Sequence, residues 1–172
     1  VGVQIVYDII PKISKSITKG RKMTNGKVVT LYMTMPDMMR SGHRMRVEDI
    51  ECDENGIMGS RDHENGKERP LVLVSKKSYD IIEEAELVFE RGLLMEDIYV
   101  DVDLYHLKKG SIIEIGEMIF EVSGPCEDYR YLYAFAPELP ELIHGKRGLF
   151  LTPIEFGRIE LGDEVNVIKE QL

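Results

Sequence analysis

Two cysteines, Cys52 and Cys126, are the side chains in this chain best suited to covalent chemistry. A thiolate is a nucleophile and a soft-metal ligand, and positive neighbours make it available near neutral pH by lowering the thiol pKa. Arg61, His63, Lys67, Arg69 and Arg147 are the candidate positive groups. Arginine's planar fork suits a phosphate as well as it suits a thiolate. Cys126 follows Gly124 and Pro125, and a proline there restricts the backbone and holds the thiol on a defined turn. Cys52 closes a strand-like run ahead of a turn and reads as structural. On residue type alone, a small buried hydrophobe is also the ordinary reading of Cys126, because free cysteine is among the most buried residues.

Other chemistries fail on spacing. Asp53-Glu54-Asn55-Gly56 opens like a calcium loop, but Ile57 and Met58 stand where an oxygen ligand and a glycine are needed. Gly145-Lys146-Arg147 ends like a phosphate loop, yet Pro140 stands at the earlier glycine and the closing hydroxyl residue is absent. No pair of histidines has zincin spacing and no CxxC occurs, so a structural zinc site has no ligand set.

The elements that must position these residues belong to a chain of 172 residues, the size of one domain with a proper core. Its 43% hydrophobic and 31% charged residues are the balance of a globular protein. A formal net charge of −9 argues against a broad nucleic-acid surface, although a local basic cluster can still hold a small anion. No run approaches the ~20 apolar residues of a membrane helix. Asp8, Pro11 and Lys12 interrupt the apolar start, which is unlike a signal peptide. With only two cysteines, the expectation is a cytoplasmic protein with neither nucleic acid nor membrane as partner.

Strand-like runs follow one another at Val3–Ile10, Lys27–Met35, Met45–Cys52, Leu71–Val74, Ile98–Val102, Ser111–Ile115, Met118–Val122, Leu149–Ile154 and Glu164–Ile168. A hairpin turn fits at Gly116. One helix is predicted over Ser75–Glu90, capped by Ser75 or Ser78 and stopped at Gly92, with a shorter one over Pro137–Ile143. Many short strands and few helices predict a mainly β fold, a closed or nearly closed β-barrel, in residues 27–172. Residues 1–26 read as an N-terminal extension packed on it. The loop Asp53–Pro70 is long enough to be functional.

Three segments together resemble the MOSC family, named for the molybdenum cofactor sulfurase C-terminal domain. The first is Gly56-Ile57-Met58-Gly59-Ser60-Arg61-Asp62-His63, then Arg69 and the strand Leu71–Ser75. The second is Glu96-Asp97-Ile98, continuing through Phe120–Ser123 into Gly124-Pro125-Cys126. The third is Arg147-Gly148-Leu149-Phe150, Gly157-Arg158-Ile159 and Gly162-Asp163-Glu164-Val165. The resemblance spans about Gly26 to Ile168. Departures fall at Ser60, where the family has Asp, and Asp97, where it has Asn.

The resemblance implies a barrel of the MOSC or pyruvate-kinase-barrel type whose cysteine, placed at Cys126, handles sulfur or molybdenum. One expectation is a sulfur carrier, in which Cys126 accepts sulfur as a persulfide from a pyridoxal-phosphate-dependent cysteine desulfurase. A second is an oxidoreductase that binds the molybdenum cofactor and reduces N-hydroxylated compounds. There Cys126 ligates molybdenum, and Arg61, His63, Arg69 and Arg147 hold the pterin phosphate. A third is a binding barrel that kept the fold and lost the chemistry, a reading to which Ser60 and Asp97 give weight. Glu96 is expected to orient a loop or accept backbone hydrogen bonds.

Overall fold

Short strands with alternating burial close on themselves. The computed structural model describes residues 25–36, 44–64, 70–127 and 130–171. The predicted strand Val3–Ile10, most of the N-terminal extension, Lys67 and Arg69 lie outside them. The strands are β1 (Gly26–Met33), β2 (Met45–Val47), β3 (Asp49–Asp53), β4 (Gly56–Ile57), β5 (Leu71–Ser75), β6 (Ile98–Val100), β7 (Ile112–Ile115), β8 (Met118–Pro125), β9 (Leu149–Glu155), β10 (Gly157–Glu160) and β11 (Glu164–Lys169). The helices are α1 (Arg61–Glu64), α2 (Lys76–Glu84) and α3 (Leu139–Leu142), with a 3-10 turn at Arg130–Ala134.

Seven strands form the closed barrel in the order β1-β6-β5-β9-β8-β7-β11, with β11 pairing back onto β1 and β2 flanking β1 as an extra strand. A second small sheet has the order β10-β3-β4. Closure leaves the barrel without an open edge to template aggregation. Pairing is antiparallel in this ring except between β5 and β6. A parallel pair needs a crossover, and α2 with the loop after it supplies one.

That crossover creates two apolar layers. Val28, Leu31, Leu71, Leu73, Ile98, Val100, Leu149 and Leu151 belong to the first core. Val72, Val74 and Tyr99 belong to the second, with Tyr79 and Ile82 of α2, Leu132 of the 3-10 turn, and Leu139 and Ile143 of α3 and its end. Every residue of β5 is therefore buried, as its continuous apolar run predicts. The alternation of β1 puts Leu31 in the first layer and Tyr32 in the second, and the register shift between Val28 and Thr30 brings Val28 into the same core as Leu31.

Three predicted elements differ in extent. The run Met45–Cys52 divides at Glu48 into β2 and β3, which belong to different sheets. The predicted run Leu149–Ile154 is followed by a further strand, β10, which begins with Gly157 opposite Cys52. The helix from Ser75 ends at Glu84, short of Gly92. Glu86 takes a left-handed φ of 56°, and Glu86 and Leu87 donate back to Glu83 O and Ile82 O. This closes the helix by Schellman-type bonds with no glycine to signal it. Among the described residues no helix is long and apolar enough to cross a membrane.

Candidate functional site around Cys126

Cys126 is the first residue after β8. Its N–H donates to Gly148 O at 2.8 Å, extending the Pro125–Leu149 pairing by one step. Gly148 permits a close approach: a Cβ there would lie 3.0 Å from Leu73 O, 3.2 Å from Cys126 Sγ and 3.3 Å from Val74 Cγ2. The thiol therefore nests against main chain where β5 and β9 meet. It is 4% exposed and belongs to the second apolar layer, whereas the next residue, Glu127, is exposed.

A chain of hydrogen bonds borders that layer. Ser78 Oγ donates to Lys146 O at 2.6 Å, which spends its only proton. The Tyr105 hydroxyl must then donate to Ser78 Oγ, while it accepts from Ser75 N–H at 3.0 Å. Burial foremost, and the nearby Cys126 among the lesser causes, push the Tyr105 phenol well above its ordinary range, so it stays neutral. Ser75, expected to cap α2 with its side chain, instead accepts Leu104 N–H. The chain ties the first turn of α2 to Lys146, two residues before Cys126's backbone partner.

Beside this lies a buried ionic group built on the loop Gly92–Asp97. Arg44 pairs with Asp97 Oδ1 and donates to Met95 O at 3.0 Å, and Asp97 Oδ2 accepts Val72 N–H at 2.8 Å. Glu96 is fully buried. One of its oxygens accepts Tyr79 O–H and, at 2.8 Å, Gly92 N–H. This fits the expectation that Glu96 orients a loop. Burial raises the Glu96 pKa above the usual carboxylate range against those hydrogen bonds, and burial followed by Glu96 itself raises Tyr79. Gly92, predicted as a helix stop, instead crosses Tyr32 at φ 97°, where a Cβ would meet the ring at 3.1 Å.

The predicted site residues separate into two groups. Arg147 is fully buried, donates to Leu94 O at 3.0 Å and lies close enough to Tyr131 to lower that phenol's otherwise burial-raised pKa. It therefore shares the Cys126 side of the barrel. Arg61 and His63 stand on α1, where Arg61 N–H donates to Thr34 O and lies beside Asp62. His63 Nε2 meets the Asp53 carboxylate at 2.9 Å across the β3–β4 hairpin, and holds the Asp53 pKa below its usual value. Cys52 is buried in the first core with its thiol pushed up to about 12, chiefly by burial and then by Asp97. That agrees with a structural role.

Solved structures share this architecture. YuaD from Bacillus subtilis aligns with 84% of this chain and 96% of its own, at 20% identity and a TM-score of 0.65. YiiM from Geobacillus stearothermophilus aligns with 86% of this chain and 75% of its own, at 18% identity and 0.57. YiiM from Escherichia coli aligns with 82% and 69%, at 19% identity and 0.57. YuaD and YiiM are MOSC-domain proteins, and the likeness is one of fold. No family model matches the chain, and no curated protein matches it.

Arg44, Gly92, Tyr105 and Tyr131 are the residues of this neighbourhood that sequence reasoning missed. Arg44 lies in a polar stretch between Arg40 and Arg46, with no periodicity to mark it as buried. The positive φ needed at Gly92 was legible only as a helix stop. Chemically, the arrangement is a thiol pinned by its main chain in a dry layer, with a neutral phenol and a buried guanidinium in the same region.

Proposed function

We propose that the chain is a MOSC-type sulfur carrier in which Cys126 accepts sulfur as a persulfide. The observation that carries this reading is the seat of Cys126: main chain clamped to Gly148, thiol 4% exposed, and the exposed Glu127 one residue away. A persulfide is readily reduced, and a polarizable sulfur in an apolar layer is shielded from bulk thiols. A five-residue 3-10 turn and a four-residue helix contribute to the same apolar layer. Short elements of this kind belong to the low-stability end of a fold and open locally. In the transfer, Cys126 thiolate attacks the terminal sulfur of a desulfurase persulfide. One S–S bond forms, one breaks, and the desulfurase thiolate leaves, with no net redox change.

A molybdenum cofactor needs a thiolate facing the metal and cations facing a phosphate. The described residues do not make that set. Cys126 Sγ is buried beside Gly148, Arg147 donates to Leu94 O, and His63 meets Asp53.

Incubating the protein with a cysteine desulfurase, free cysteine and pyridoxal phosphate, then measuring intact mass, tests the carrier reading. The expected result is a reducible gain of one sulfur, kept in Cys52→Ser and absent in Cys126→Ser. Stoichiometric molybdenum with a pterin in protein expressed with molybdate makes it an oxidoreductase instead. Neither signal, from folded protein, leaves the binding barrel.

A further inference from the structure

A second feature lies at the other end of β8 from Cys126. Glu117 precedes this eight-residue strand and Cys126 follows it, which at about 3.3 Å per residue separates them by roughly 30 Å. There, a groove of about 340 Å³ runs between the β7–β8 turn, β10 and β11. Its walls carry the carboxylates of Glu117, Glu160, Asp163 and Glu164 against one guanidinium, Arg158. That guanidinium is already engaged by Asp49 at 2.7 Å and Glu160 at 3.2 Å.

Asn166 provides an independent observation. It lines the groove yet is only 4% exposed. Its Nδ2 donates to Glu114 at 3.1 Å, and among the described residues its Oδ1 meets no hydrogen-bond donor. Buried amide oxygens are nearly always paired, so one that is not asks for a donor. Among the described residues no group of three or more His, Cys, Asp or Glu side chains is arranged to hold a metal ion. A cationic N–H donor would satisfy this oxygen and the surrounding carboxylates together.

We propose that this groove binds an alkylammonium group, carried either by a small amine or by a lysine side chain of a partner. The ammonium sits among Glu160, Glu164 and Asn166 Oδ1, independently of any chemistry at Cys126. The test is an amide NMR titration of the full chain with 1,5-diaminopentane, with an N-acetyl-Gly-Lys-Gly amide peptide, and with the same peptide acetylated on lysine. Saturable shifts at Gly116, Glu117 and Asn166 are expected with a free ammonium and not with acetyl-lysine. Binding of the diamine alone assigns a small-amine site; binding of the peptide alone assigns a partner's lysine.

Asn166→Ala should weaken binding by about tenfold, the scale of one charge-assisted hydrogen bond. Glu160→Gln with Glu164→Gln, both exposed and safe for folding, should weaken it at least as much. Glu83→Gln, on α2, is the control. Equal loss in that control reduces the effect to general attraction to an acidic chain and overturns the proposal. It is equally overturned if neither ammonium probe binds, or if calcium shifts the same amides at lower concentration.

Discussion

Arg44 and Asp97 form an ion pair almost wholly removed from water, their side chains 2% and 0% exposed. The pair joins the chain just before β2 to the entry of β6, and Asp97 also caps Val72 N–H of β5. The residue that departs from the Glu-Asn-Ile pattern is thus matched by a buried cation. Removing one partner of such a pair leaves an uncompensated charge and costs about 3–5 kcal/mol. Asp97→Asn, which gives the residue of the MOSC pattern, should destabilise the protein on that scale in urea unfolding. Arg44→Met combined with Asp97→Asn should recover most of the loss. An Asp97→Asn protein as stable as the parent would mean that Arg44 does not need its counterion.

This pair also shows where sequence reasoning stops. The strands were legible because burial of one face imposes a period of two, and β5 because an unbroken apolar run needs cover on both sides. A closed barrel was legible, but not which strands close it, since Gly26↔Val165 joins residues from the two ends of the described chain. Cys126 and Arg147 could be named from the resemblance, but their seat depends on Gly148, Tyr105 and Tyr131, contacts made by folding rather than by local pattern. Arg69 lies outside the described residues.

Glu96 gives the stability curve a particular sign. Burial raises its folded-state pKa above the unfolded value, despite Tyr79 and Gly92. Its contribution is fully present below the ordinary carboxylate pKa of about 4.3 and is lost as pH rises through the raised folded value. Glu96→Gln stays neutral and can still accept from Tyr79 and Gly92. The stability of this variant relative to the parent should therefore increase from pH 4.5 to pH 8, as measured by denaturant midpoints across that range. A difference that is flat with pH would show that Glu96 ionises in the folded protein as it does in water.

Both thiols should resist labelling in the native state, for different reasons. Cys52, 3% exposed in the first core and pushed up to about 12, offers almost no thiolate at neutral pH. Cys126 shares its apolar layer with the short elements around Leu132 and Leu139. Leu139→Ala removes a fully buried side chain at a cost of about 2–5 kcal/mol and loosens that layer first. Alkylation followed by peptide mass analysis should show Cys126 reacting faster in Leu139→Ala, with Cys52 unchanged. Parallel acceleration of both would mean that the thiols are exposed only by global unfolding.

Gly148 sets the position of the thiol most directly. A methyl group there would press on Leu73 O, Cys126 Sγ and Val74 Cγ2 at 3.0, 3.2 and 3.3 Å. The Leu73 carbonyl is main chain of a central strand and cannot yield cheaply, so the strain passes to the thiol and to the Cys126–Gly148 hydrogen bond. Overpacking of this kind costs about 1–3 kcal/mol. Gly148→Ala should fold with reduced stability and should load less persulfide from a desulfurase than Leu139→Ala, even if the two are equally destabilised. That contrast separates placement of Cys126 from general loss of stability: Leu139→Ala frees the route to a thiol still in register, whereas Gly148→Ala moves the thiol itself. If both variants load equally, the seat formed by Gly148 is irrelevant to sulfur transfer and only the layer around Cys126 matters.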